Sequence, residues 1–182
     1  GDGVERLPAH RPDHPDVAQT LNNLGLLHQA QDAYARAVPL YTRAAAIWEK
    51  ALGPDHARLA LVLNNLGLAY QEQGDLESAA PLFERALAIR EAALGPDHPD
   101  VAQTLYNLAN LQRDRGDLAA ARPLYRRALA IREASLGPDH ADVGWTITAR
   151  AGLDAAAGDL EQAIAGMARG LAILESALGD DD

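Results

Sequence analysis

The triplet Pro-Asp-His occurs at residues 12–14, 54–56, 96–98 and 138–140, each copy 42 residues after the last. A period of this length is the mark of one supersecondary unit copied along a chain, each copy covering the apolar face of its neighbour. An elongated array is therefore expected, although 182 residues would also suffice for one ordinary globular domain. The reading divides the chain into a flexible lead-in over residues 1–11, four repeats over 12–53, 54–95, 96–137 and 138–179, and an acidic tail over 180–182.

Each repeat predicts two helices. Pro15 and Pro99 suit a first helical turn, where a missing N–H costs nothing. Asp13, Asp55, Asp97 and Asp139 are candidates to accept from the free amides there, and Asp16, Asp100 and Asp142 sit well against the positive end of the helix dipole. In the third repeat Val101, Leu105, Leu108, Ala109 and Leu111 fall on one helical face. That helix breaks at Gly116-Asp117, with Gly74-Asp75 and Gly158-Asp159 as counterparts. The first repeat has Asp32-Ala33, where a left-handed turn without glycine is less comfortable. In the second helix, small residues at Ala37, Ala79, Ala121 and Ala163, and again at Ala44, Ala86 and Ala128, allow close approach, with Tyr41, Phe83 and Tyr125 filling the space between. The expected fold is an all-α right-handed α-solenoid of four helix-turn-helix repeats, about eight antiparallel helices.

Composition narrows function by exclusion. There is no cysteine, hence no disulfide framework and no thiolate metal site, and the chain leans toward a cytoplasmic location. No apolar run approaches the roughly 20 residues that span a bilayer, and residues 1–6 lack a signal-peptide core. A formal charge of -10 repels phosphate backbones, so nucleic acid is not an expected partner. His14, His56, His98 and His140 recur in register, but adjacent copies stand roughly 20 Å apart if each helix takes its usual width, too far to share an ion. One Asp and one His per copy are too few ligands for a metal. Turn and cap roles are the better reading, and no cofactor is expected. The chain lacks Gly-Lys-Ser, His-Glu-x-x-His and Gly-x-Ser-x-Gly, and Ser78, Ser135 and Ser176 all fall in second helices. An enzyme is not expected.

Leu-Asn-Asn-Leu-Gly at 21–25 and 63–67, with Tyr70, Gly74, Ala79, Phe83 and Ala86 downstream, resembles the tetratricopeptide repeat. The 42-residue period with Leu-Gly-Pro-Asp-His at 94–98 is similar to its kinesin light chain variety, a long repeat shared by bacterial multi-repeat proteins that include the sensor regions of some signalling ATPases. The alanine, arginine and glycine usage suits a bacterial source. The resemblance implies that the first helix of each repeat lines a concave groove, and that the asparagine before the Leu-Gly or Leu-Ala pair holds the backbone or carboxylate of an extended peptide. Asn23, Asn65 and Asn107 match that place. An amide offers donor and acceptor together, so a row of them can pair with any peptide backbone; the same asparagines could instead bridge adjacent helices.

The full candidate set on that face is Asn22, Asn23, Asn64, Asn65, Tyr106, Asn107, Asn110, Arg113 and Trp145. The expected function is non-catalytic binding of a protein or peptide segment. The alternatives are a structural scaffold, homo-oligomeric through an open C-terminal end, or a sensor segment of a larger signalling ATPase. The fourth repeat departs from the pattern: Arg150 replaces the leucine of the other copies, and Gly166 and Gly170 stand where they have Leu and Ala. Such changes are expected in a terminal copy with less to pack against.

Overall fold

The computed structural model describes residues 13–179, so the lead-in over 1–11, Pro12 and the acidic tail over 180–182 lie outside the described residues. Eight helices follow one another without a strand among the described residues: α1 (Pro15–Gln29), α2 (Tyr34–Leu52), α3 (Ala57–Glu72), α4 (Leu76–Leu94), α5 (Pro99–Asp114), α6 (Leu118–Leu136), α7 (Ala141–Ala156) and α8 (Leu160–Leu178). Each odd helix packs on the even helix that follows it, and α3, α5 and α7 also pack on the even helix before them. The odd helices also touch one another from repeat to repeat, whereas the backbones of the even helices stay apart. The odd helices consequently form the inner side of a curved array and the even helices the outer side.

The helix starts differ from the sequence expectation in one respect. The imidazole of the Pro-Asp-His triplet, not its carboxylate, is the cap: Nδ1 of His98 accepts from the Asp100 N–H at 3.1 Å, as His14, His56 and His140 do in their own repeats. Position explains it. The histidine holds the extended conformation directly before the helix (φ -73°, ψ 143° at His98), and the proline or alanine after it is already helical. Asp13, Asp55, Asp97 and Asp139 stand one residue too early, and Asp13 instead accepts from Lys50 Nζ at 2.8 Å.

The turns inside the repeats follow the sequence. Gly74, Gly116 and Gly158 take φ of 80°, 81° and 87°, and Asp75 and Asp117 then cap the next helix by accepting from the Ser78 and Ala120 amides. In the first repeat Asp32 is forced to φ 55°, and Ala33 offers no side chain to the start of α2. Pro39, Pro81 and Pro123 lie inside α2, α4 and α6, where each removes one helical N–H donor.

Ala37, Ala79 and Ala121 are fully buried, and so are Tyr41, Phe83 and Tyr125, the rings on which each pair closes. The approach is tightest where the odd helix has glycine: a Cβ on Gly25 would stand 2.5 Å from the Tyr41 ring, and one on Gly67 would stand 2.8 Å from Phe83. Between repeats, Arg90 and Arg132 are buried cations that donate to Thr104 Oγ1 and Thr146 Oγ1 at 2.6 Å, and to the carbonyls of Asp100 and Asp142. Burial pulls both guanidinium groups below their ordinary pKa, and the neighbouring carboxylates act the other way. On the outer side a regular series of ion pairs, Arg85–Glu49, Arg127–Glu91 and Arg169–Glu133, links each even helix to the last.

The fourth pair is not worn in the way its glycines suggest. A Cβ on Gly170 would stand 2.3 Å from Thr148 Oγ1, and one on Gly166 2.9 Å from the Ala151 Cβ. Gly170 and Gly166 thus allow α8 to lie close on α7.

Candidate functional site

The inner face is formed by α1, α3, α5 and α7 side by side, and the helical period brings one residue of each turn to its surface. Gln19, Leu61, Gln103 and Trp145 occupy the same position in successive repeats, 42 residues apart. Leu61 is 39 % exposed and Trp145 50 %, a large exposure for an indole on an ordered helix. Two turns further along α1, Leu26 is likewise exposed. Apolar and aromatic surface is therefore presented at both ends of the inner face as well as in its middle.

The asparagines sit deeper than their place in the pattern implied. Asn22, Asn64, Asn65 and Asn107 are buried, with Asn22 only 1 % exposed. Asn65 Nδ2 donates to Asn22 Oδ1 at 3.1 Å, and Asn107 Nδ2 donates to Asn64 Oδ1 at 3.0 Å. Each bond joins residues 43 apart, so it crosses from one repeat to the next and seals the seam beneath the groove floor. The bridging alternative describes these four residues: curvature brings the inner helices close enough for short side chains to meet, and the amides satisfy one another there. Asn23, by contrast, is exposed and accepts from Gln19 Nε2 at 3.0 Å. Asn110 is half-buried and accepts from the Tyr125 hydroxyl, which leaves its own NH₂ for another partner.

Tyr106 replaces the asparagine of the first two repeats and is held from two sides. The Arg132 guanidinium stands 4.8 Å from its ring centroid, and Tyr125 meets it edge-on with centroids 5.8 Å apart. A ring fixed in this way loses little freedom on meeting a ligand. Arg113 is exposed at the far end of α5 and donates through Nε and Nη2 to Asp114 Oδ1, while Gln71 Nε2 donates to Asp114 Oδ2 at 2.7 Å. The guanidinium keeps N–H groups for an anion while its position is set by that carboxylate. Arg132 and Asp114, which orient Tyr106 and Arg113, were not singled out by the sequence; only the recurrence of arginine at 90 and 132 signals the first.

Among the described residues no group of three or more histidines and carboxylates could hold a metal ion, and the repeated histidines each serve their own helix. No helix among the described residues is long and apolar enough to cross a membrane.

Four stacked helix pairs with an open inner surface define a helical-repeat solenoid of the kind that binds other proteins. The chain belongs to the tetratricopeptide repeat family: the family profile matches residues 16–92, 79–134 and 100–176, together nearly all of the described array. It is similar in structure to BtubC (BKLC) from P. vanneervenii, with 25 % identity and a TM-score of 0.82 over 93 % of this chain and 67 % of that one. It also resembles a kinesin light chain-like protein of Podosopora anserina built of nearly identical TPR-like repeats. One structure of that protein, a single-residue variant, gives 24 % identity and a TM-score of 0.77 over 92 % of this chain and 79 % of that one. A second gives 24 % and 0.74 over 96 % and 82 %. No curated protein matches the sequence. The kinesin light chain-like character expected from the 42-residue period is thereby supported, and the fold is one generally used for protein interaction.

Proposed function

We propose that the array binds an extended peptide or protein segment along its inner groove and carries out no chemistry of its own. The observation that carries this reading is the row of side chains left at the inner surface once the seam is satisfied: the exposed Leu26 and Leu61, the half-buried and pinned ring of Tyr106, the cation Arg113 and the half-exposed indole of Trp145. A matching segment would be extended, with apolar side chains toward Tyr106 and Trp145 and a carboxylate toward Arg113. Asn23 and the free NH₂ of Asn110 remain as backbone partners, whereas Asn22, Asn64, Asn65 and Asn107 act beneath them by holding adjacent repeats in register. Affinity is expected in the micromolar range, about -8 kcal/mol, because a flexible ligand must be ordered. A peptide-library pull-down followed by titration tests this. Trp145→Ala and Arg113→Ala should each weaken a captured peptide about tenfold or more, and only Arg113→Ala should flatten the salt dependence. Equal binding by both variants with helicity intact would place the interaction elsewhere.

A second reading is favoured by the two ends. Leu160, Ile164, Met167, Leu171 and Leu178 are exposed along α8, and Leu24 and Leu27 along α1. Leu24 and Leu171 stand at positions that form the internal seams: Leu66 and Leu108 correspond to Leu24, and Leu129 to Leu171, and all three are buried. The α8 face of one copy is thus complementary in register to the α1 face of a second. Stacking in this sense would bring Glu175 toward Arg43 of the next copy, continuing the outer series of ion pairs. Sedimentation over a range of concentration tests it: mass should rise with concentration in the parent and stay monomeric in Ile164→Glu.

A further inference from the structure

The fourth repeat breaks the pattern in a second way, and the changes converge. In the third repeat Leu108 and Leu124 pack in one cluster between the inner and outer helices. Their counterparts 42 residues on are Arg150 and Gly166. Arg150 and Gly166 border a cavity of about 560 Å³ between α6, α7 and α8, opening on the outer side, where α6 and α8 stand apart. Arg122, Arg126, Arg150 and Arg169 all line it. Three of these four do not repeat: the second repeat has Ala80, Glu84 and Leu66 in place of a further 122, 126 and 108-type residue, and the third has Leu108 where the fourth has Arg150.

The charge balance in the cavity is uneven. Arg122 is paired with the buried Asp154 at 2.7 Å and with Asp159 at 3.2 Å, and Arg169 is paired with Glu133 at 2.8 Å. Arg126 and Arg150 make no hydrogen bond or ion pair among the described residues. Chance crowding is a poor explanation in this chain: it carries 26 acidic side chains against 16 lysines and arginines, yet four of those 16 meet at one cavity. Ala119, Pro123, Ile147 and Ala165 supply an apolar wall beside them.

We propose that this cavity is a binding site for an organic phosphomonoester, separate from the inner groove. Two guanidinium groups without counter-ions match the roughly two negative charges of a phosphomonoester near neutral pH, and their planar donors suit phosphate oxygens. The volume exceeds that of an inorganic ion and lies within the range of small-molecule sites, and the apolar wall covers the carbon skeleton. The phosphoryl group could belong to a free metabolite or to a phosphorylated side chain of a partner; the recognition chemistry is the same. Because the site lies on the outer side, it stands or falls independently of groove binding.

The test is calorimetric titration of the whole chain at low salt with phosphoserine, a short phosphoserine peptide, inorganic phosphate and succinate. Phosphoserine should bind, and Arg126→Ala and Arg150→Leu should each weaken it at least tenfold. Arg150→Leu restores the residue of the other repeats and so preserves the fold; Arg126 is exposed, so its truncation gives a second variant with little risk to folding. Free phosphoserine bound more tightly than the peptide would point to a metabolite, and the reverse to a phosphorylated partner; both outcomes support the site. No binding of either phosphoserine probe, equal affinity for succinate or inorganic phosphate, or undiminished binding by both variants would overturn it.

Discussion

Asn65 donates from Nδ2 to Asn22 Oδ1 at 3.1 Å across the seam between the first and second repeats, and both residues are buried. The bond makes a prediction about stability before any about binding. Asn65→Ala leaves the Asn22 carbonyl buried without its donor, which should cost about 1–3 kcal/mol. Replacing both by leucine should cost less than the sum of the single changes, because no unsatisfied polar group is left. A double-mutant cycle in urea checks this, and additive losses would show that the pair is not coupled.

The cap belongs to the histidine of each triplet. His98→Ala should lower stability by about 1 kcal/mol through the Asp100 amide it leaves unmet. Asp97→Ala should change it by no more than a few tenths. Chemical denaturation of the two variants side by side decides which residue caps α5.

The turn between α1 and α2 is the one that lacks both residues its type prefers, with Asp32 at φ 55° and Ala33 at the cap position. Writing Gly-Asp there, as in the other three repeats, should raise stability by about 1–2 kcal/mol, through relief of the left-handed strain and a new cap to α2. The bond from the Tyr34 hydroxyl to Asp32 Oδ1 would be lost, but it is exposed and offsets little. A rise in the denaturation midpoint with an unchanged slope is the expected result.

Burial pushes the phenols of Tyr41 and Tyr125 up to about 12, from an ordinary value of 10.0. The folded state favours the neutral phenol, so its contribution is complete below pH 10 and is lost as pH rises from 10 through 12. Urea melts across that interval should show the parent weakening with pH, and Tyr41→Phe weakening less. Phe83 already fills the same position in the second repeat, so the substitution fits the packing.

Much of the fold is legible in consecutive residues. The 42-residue period, the buried stripe of Val101, Leu105, Leu108 and Leu111, and the Gly-Asp breaks are local signals, since helical periodicity and turn conformation depend on near neighbours along the chain. The chain by itself therefore determined that there would be eight helices, where they would start and stop, and that they would stack as an array.

The tertiary structure alone decided what the polar residues do. Successive residues on a helix point about 100° apart, so a small rotation between neighbouring helices separates a groove residue from a seam residue. That rotation and the curvature of the array put Asn22, Asn64, Asn65 and Asn107 into the seam, left Asn23, Arg113 and Trp145 at the surface, and brought Arg132 onto Tyr106. It likewise gathered Arg122, Arg126 and Arg150 from two helices around one cavity, a convergence that no spacing along the chain reveals.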